Sequence, residues 1–554
     1  MIRASLPRLN FTLADAGSST KGGFVRPRGS LLILGMVAAA LVFLCYLAAF
    51  LAPAVGLYHD DAIYTVTAKS LAEGQGYRIL SLPNEIPQTK YPILFPLLLS
   101  LVWRVFPTFP DNVLWLKLVP FGAALVWFWL VYRLLKRETG EPALAGGIVL
   151  LTMVAPRVLH FTTILLSETL FAALAWGSLW FLRSCERGDG RTAHVVAAAL
   201  ITAATFHTRT IGAVLIVAGI IGLLIVRRVR WALLFGSLSV LLVLPWFLWV
   251  VAQGVASLPE VYSYYTAANY RDWNVLISFP WVEKLWIVVF NSLALLQAPT
   301  WLLGIDQRAV LVPCFLVGLL AIAGLLRDAF RGMNVLHVFT LGYAGTVLLW
   351  AWPSPRFYMP VLPLLLLFAS REGVRLSSRI PHPDLRKGVV IVAISALALP
   401  TGFRFGKTSM LAIERGIVCP IEPCRDEWAQ YLTSLNWIEN QTPEEAVVLS
   451  NHDPMVYLYA GRKSIGMFNA DPFELFYALD EEHEIHSSTE TLVTGIRESG
   501  VDYLFLTDRQ DSLWDQPLWR QFRILRPRCP GVARALVIGP TPGMAIYQVA
   551  GPKC

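Results

Sequence analysis

Two adjacent carboxylates, Asp60 and Asp61, stand directly after the first membrane-length apolar run, and Lys90 follows just before a second, shorter one. The stretch YHDDAIYTVTAKSLAEGQGYRILSLPNEIPQTKYPILFPLLLSLVWRVF, residues 58–106, thus combines paired acids, a cation and a segment able to lie on a membrane. A carboxylate at a membrane–water boundary can act as general base on an acceptor hydroxyl. Two acids side by side also suit a divalent cation such as magnesium or manganese, although base chemistry does not require one. Acids can simply end a span, but Asp contributes little to topology, which leaves room for a chemical role. Lys90 reads either as a snorkelling lysine or as a point charge that holds a phosphate.

Four further residues join this set. His160 and Glu168 flank a turn between two apolar runs in RVLHFTTILLSETLF, close enough in sequence to be neighbours across it. An acid at the start of a span is costly unless it is paired or faces a water-filled cavity. Glu168 could instead serve the helix dipole after Ser167. Arg209 in FHTRT and Arg356 in WPSPRFYMPVLP are lone cations at turns where cations are otherwise scarce, and a lipid phosphate is a reasonable partner for both. No G-x-x-x-x-G-K-[ST], G-x-S-x-G or H-E-x-x-H occurs, so the common nucleotide-hydrolysis and hydrolase signatures are missing.

The elements that must position these residues are mostly membrane helices. Of the 554 residues, 55% are hydrophobic and only 15% charged, against roughly 25% charged in soluble domains. The net charge of +8 comes from small clusters between apolar runs, a topological signal and not a nucleic-acid footprint. Apolar runs at 31–55, 112–135, 142–159, 165–182, 193–207, 210–226, 231–252, 309–326, 334–352, 356–370 and 388–405 predict about eleven spans. With the N-terminus inside, the Arg133/Lys136/Arg137, Arg183/Arg187/Arg191, Arg227/Arg228/Arg230, Arg327/Arg331 and Arg371/Arg375/Arg379/Arg386/Lys387 clusters all fall inside. Residues 91–107, broken by Pro92 and Pro96, are expected to form an interfacial helix, and 281–304 an interfacial or re-entrant element. Counting either as a single span would invert every later loop, whereas a pair of extra spans within 253–308 would not.

These signals divide the chain into a cytoplasmic segment 1–30, a membrane domain 31–405 whose first outer loop is 56–110, and an extracytoplasmic part 406–554. In the last part, RDEWAQYLTSLNWIENQ predicts an amphipathic helix. AVVLS, DYLFL, ALVIG and AIYQV predict strands, and TETLVTGIRESG a further helix. A small α/β domain of about 150 residues follows. Four of the seven cysteines, Cys419, Cys424, Cys529 and Cys554, lie there. CPIEPC is a candidate local disulfide if this part faces an oxidising compartment, although the pairing of four cysteines is not readable from sequence.

HDDAIYTVTAKSLAEGQGY, TKYPILFPLLLSL, LLSETLF and SPRFYMPVLP, in this order, resemble the membrane-embedded GT-C glycosyltransferases, the protein O-mannosyltransferase and lipid A aminoarabinose transferase group and its bacterial relatives. The likeness covers roughly residues 31–405. It implies a GT-C fold and an inverting hexosyl- or pentosyltransferase of the inner membrane. Such an enzyme uses a polyprenyl-phosphate sugar donor and an envelope lipid, glycan or protein acceptor. It implies Asp60 as catalytic carboxylate with Asp61 beside it, Lys90 as a donor-phosphate contact, and functional places for Glu168 and Arg356. Ile93 stands where the family has a second proline. No cofactor is required by this chemistry. The competing reading is a transporter or flippase of lipid-linked envelope intermediates, but transporters hold their ionisable residues near the bilayer midplane, not at span ends.

Overall fold

The computed structural model describes residues 28–254, 258, 260–272, 274–305, 311–352, 355–420, 427–466, 496, 499–507, 522, 533–538 and 544–549. The chain divides into two compact units, Met1–Leu44 and Cys45–Cys554. The first unit is helical from Arg28 onward and exposes Ile33, Met36, Val37, Leu41 and Phe43.

Helix α1 is Arg28–Phe50, α2 Asp60–Ala72, α3 Leu94–Val105, α4 Val113–Thr139, α5 Pro142–Met153 and α6 Pro156–Thr163. They are followed by α7 Glu168–Arg187, α8 Thr192–Thr208, α9 Ala213–Ile225, α10 Val229–Ala252, α11 Ala268–Asp272 and α12 Trp281–Leu302. The last six are α13 Leu311–Gly332, α14 Val335–Leu348, α15 Leu362–Ser377, α16 Pro383–Arg415, α17 Trp428–Gln441 and α18 Asp453–Ala460. Local signals set many of the ends. Proline opens α5, α6, α16 and α18, and left-handed Gly140, Gly188, Gly416 and Gly461 close α4, α7, α16 and α18.

Among the described residues, α4, α10, α12, the segment Pro355–Ser377 and α16 are long and apolar enough to cross a membrane, and the α5–α6 pair, bent by 65°, would make a sixth. Other predicted spans are shorter helices, among them α8, α14 and Thr210–Ile225. Helix α3, with 12 residues, reaches only about 18 Å, too short for a bilayer core of about 30 Å.

Two differences from the sequence reading concern long helices. The run around 281–304 forms one unbroken 22-residue helix, α12. It packs closely along α13, where Gly318 lies against the Leu296 carbonyl, and it also touches two turns. The Asn291 amide donates to the carbonyls of Val347, Leu348 and Trp350 (3.3, 3.0 and 2.7 Å), and the Trp301 carbonyl accepts from Arg157. The second difference is α16, which continues for 33 residues to Arg415 instead of stopping near 405. That is about 50 Å of helix, longer than a bilayer core is thick.

Charged side chains tie together the helix ends predicted to face inward. Arg183 forks onto Glu138 (2.9 and 2.8 Å) and reaches Glu186 at 2.6 Å, and Glu186 accepts from the Val335 amide at 2.8 Å. Arg371 pairs with Asp328 at 2.5 Å, and Glu372 with Arg327 and Arg375 at 3.0 and 2.5 Å. The ends of α4, α7, α13, α14 and α15 are therefore joined at one level by bidentate and shared ion pairs.

The C-terminal residues form a five-stranded sheet of β1 Val447–Ser450, β2 Lys463–Ile465, β3 Tyr503–Thr507, β4 Ala533–Ile538 and β5 Met544–Val549. The strand order is β2-β1-β3-β5-β4. Strands β2 and β3 pair with β1 in parallel, and the pairs β3–β5 and β4–β5 are antiparallel. Side-chain alternation gives the sheet two apolar faces. Val448, Tyr503, Phe505 and Ile546 pack with Trp428, Tyr431, Leu435 and Ile438 of α17. Leu449, Leu504 and Leu506 pack with Ile63 and Val66 of α2 and with Ile79, Leu82 and Ile86 of the first outer loop. The helix that begins with Asp60 is thus covered by the sheet.

The strands expected at AVVLS, DYLFL, ALVIG and AIYQV match β1, β3, β4 and β5 within their described residues. TETLVTGIRESG lies largely outside the described residues, as do Cys424, Cys529 and Cys554. Cys419 is disulfide-bonded.

Gly56 marks a close approach between the α1–α2 connection and α18. It has φ +102°, and a Cβ there would sit 2.6 Å from Met455 Cβ. Gly56→Ala should therefore destabilise the purified protein by about 2 kcal/mol or more, through both backbone strain and overpacking. An unchanged thermal midpoint would contradict this packing.

Candidate active site

Helix α2 starts with its acids in the first turn, where the helix dipole favours negative charge. The two carboxylates then diverge. Asp61 turns inward and accepts from the Gly56 and Tyr58 amides at 2.7 and 3.1 Å. Burial raises its carboxyl pKa more than these amides lower it. It lines a small cavity with Lys117, His160 and Tyr58. Lys117 closes the end of α1 by donating to the Phe50 carbonyl at 3.3 Å and to that of Ala52. His160 packs on the Tyr58 ring, 4.9 Å between centroids. Asp61 and His160 thus lie beside the α1–α2 connection.

Asp60 points the other way, into a chain of charges built from four separate elements. Its Oδ1 accepts from the Tyr91 hydroxyl at 2.6 Å and its Oδ2 from Arg356 Nη2 at 2.9 Å. Arg356 Nε lies 3.8 Å from Glu168 Oε1, which pairs with Arg209 at 2.9 Å. Arg209 also donates to Ser167 Oγ at 3.2 Å, and Ser167 meets the Tyr64 hydroxyl at 3.0 Å. The start of α2, the start of α7, the end of α8 and the turn before α15 therefore meet at the Asp60 end of the bundle. The Glu138–Arg183 and Glu372–Arg375 groups sit at the other ends of α7 and α15. Burial pushes the Asp60 carboxyl up, but Arg356, the Tyr91 hydroxyl and Lys90 together outweigh it and hold the pKa below the usual range.

Lys90 is buried beside this chain. Its ammonium donates to the Tyr264 carbonyl at 2.8 Å and lies 3.6 Å from the centre of the Tyr264 ring. Burial lowers its pKa to about 7, against the pull of Asp60 and Asp453. A small environmental change can therefore switch its charge near neutrality.

Sequence reasoning brought Asp60, Lys90, Glu168, Arg209 and Arg356 to one place, and missed Tyr91 as a direct partner of Asp60. It also missed Tyr264, Tyr265 and Asp453. The only sequence signal for Asp453 is an Asp-Pro pair at a helix start directly after a strand.

As arranged, the acidic pair does not fit a shared cation. The two carboxylates serve different partners, and among the described residues no group of three or more His, Cys, Asp or Glu side chains comes together as a metal site.

The Lys90 environment has a signed consequence. The lysine binds more protons in the unfolded chain than in the folded one between pH 7 and 10.5. The cost of burying its charge is thus fully present below pH 7 and fades as pH rises. Lys90→Met should be more stable than wild type at pH 6.5. The gap should close toward pH 10 with a slope approaching the one-proton limit of about 1.4 kcal/mol per pH unit. A pH-independent difference in thermal unfolding would contradict the burial of a titrating ammonium.

No protein-family model and no curated protein matches the sequence. Solved structures do match. ArnT from Cupriavidus metallidurans bound to undecaprenyl phosphate aligns with a TM-score of 0.55 at 12% identity, over 94% of this chain and 98% of that one. The same enzyme in its apo state gives 0.52 at 12% identity, over the same shares. The Archaeoglobus fulgidus oligosaccharyltransferase in complex with zinc and sulfate gives 0.52 at 14% identity, over 92% of this chain and 73% of that one. ArnT, a lipid A aminoarabinose transferase, and the oligosaccharyltransferase are GT-C superfamily members. The chain has the GT-C fold.

Proposed function

We propose that the protein transfers a hexose or pentose from a polyprenyl-phosphate donor to an acceptor hydroxyl at the outer face of the inner membrane, with inversion. The observation that carries this reading is the environment of Asp60, an ionised carboxylate next to two cations suited to a phosphate, Arg356 and Lys90. ArnT, which shares the fold, was solved with undecaprenyl phosphate bound.

The chemistry follows from these groups. The acceptor oxygen attacks the anomeric carbon while Asp60 takes the hydroxyl proton. The bond from that carbon to the phosphate oxygen breaks, and its electron pair leaves with the lipid phosphate. Arg356, drawn from Asp60 toward the phosphate, and protonated Lys90 would stabilise the growing charge. Glu168 keeps Arg209 and Arg356 oriented. A single displacement inverts the anomeric centre. No step runs through a metal ion.

The same reading has about eleven crossings, a cytoplasmic N-terminus and an extracytoplasmic C-terminal α/β part from about residue 406. Two features support it: the ion pairs that join the ends predicted to be inside, and the Asp60–Arg356–Glu168–Arg209 chain that joins the opposite ends. Helix α12 then lies along the outer surface, where its exposed Trp281, Leu285 and Trp286 suit a membrane interface.

Membranes that contain wild type should transfer radiolabel from one of a panel of polyprenyl-phosphate sugars into a lipid, glycan or protein fraction. Asp60→Asn should lower transfer at least about 100-fold at equal protein abundance. Full transfer by Asp60→Asn would overturn the proposal.

A further inference from the structure

The residue before Asp60 is held in a conformation that side chains rarely adopt. His59 has φ +58° and ψ −56°. The Asp60 amide donates to the Tyr58 carbonyl at 2.5 Å across it, a three-residue turn. Turns of this hand are rare and strained, and such strain persists only where the surroundings over-determine it.

The surroundings here come from the far end of the chain. His59 Nε2 is 2.8 Å from Asp453 Oδ1, and the Tyr265 hydroxyl donates to Asp453 Oδ2 at 2.9 Å. The Tyr265 oxygen accepts in turn from the Gly466 amide at 2.7 Å, and Ser464 Oγ donates to the Asp453 carbonyl. The Tyr264 and Tyr265 rings pack on the imidazole, with centroids 5.3 and 5.9 Å away. Asp453 is fully buried at the start of α18. One carboxylate therefore bridges α18, the strained turn and the tyrosine pair that covers Lys90.

We propose that Asp453 is a positioning residue that acts through His59. It holds the left-handed turn that aims Asp60 at Arg356 while Asp61, next in sequence, points into the protein. The C-terminal part thereby forms one wall of the catalytic site. This inference rests on the transferase reading only for its kinetic test.

The test uses the full-length protein in nanodiscs, with Asp453→Asn and His59→Gly made singly and together. Glycine adopts positive φ unaided, so the turn no longer needs its tether in the His59→Gly background. In the wild-type background, Asp453→Asn should speed amide exchange of residues 58–62 about 10-fold. It should also lower kcat for polyprenyl-phosphate sugar transfer about 10-fold, with the donor KM unchanged within about 2-fold. In the His59→Gly background the same substitution should add less than about 2-fold to either quantity. No effect of Asp453→Asn on exchange, or an equal effect in both backgrounds, would overturn the inference and leave Asp453 a general packing residue. If wild type transfers no sugar, the transferase reading fails, while the exchange comparison still decides the role of Asp453.

Discussion

The ion pair between Arg356 and Asp60 is the contact on which the rest of the architecture converges. Its two residues are 296 positions apart, and they meet only if α2 and the turn before α15 reach the same level of the bundle. Burial taxes both charges, and removal of one partner from such a pair leaves a costly unpaired ion. Each therefore has a second partner: Tyr91 for Asp60 and Glu168 for Arg356. The pair is also a resting arrangement. A base whose two oxygens are occupied gains freedom when an anion draws the guanidinium away, and a phosphate is such an anion.

The opposite end of the bundle has a different task. Glu138, Arg183, Glu186, Arg371 and Glu372 are matched closely, with forked and shared hydrogen bonds. The network fixes helix ends to one another and leaves few groups for chemistry. The Asp60 end, in contrast, sets Arg356 and Arg209 between Asp60 and Glu168, with a titrating lysine beside them.

Part of this site was legible in the sequence because topology supplies a background against which exceptions stand out. Lone Arg209 and Arg356 sit at turns where the positive-inside pattern disfavours them, and Glu168 opens an apolar run. Lys90 was marked by its place before an apolar helix too short to span. What could not be read was the divergence of neighbours. Asp60 and Asp61 are adjacent, but a strained turn at His59 sends one to Arg356 and the other to backbone amides. Asp453 was hidden for a related reason, since its partners His59 and Tyr265 are 394 and 188 residues away. Strand β2 has only three residues, one of them Lys463, and shows no alternation to detect. The length of α16 was underestimated because its last turns, after Gly406, are polar enough to resemble the start of a soluble region.

The central claim is that Lys90 and Arg356 form a phosphate seat next to Asp60. Native mass spectrometry of the detergent-purified protein with undecaprenyl phosphate measures this without any sugar or acceptor. The account predicts one retained lipid per wild-type chain. It predicts occupancy reduced at least about 10-fold by Arg356→Met or Lys90→Met, since each removes a charge-assisted contact. Asp60→Asn should retain the lipid. Equal occupancy across all four proteins would contradict the account.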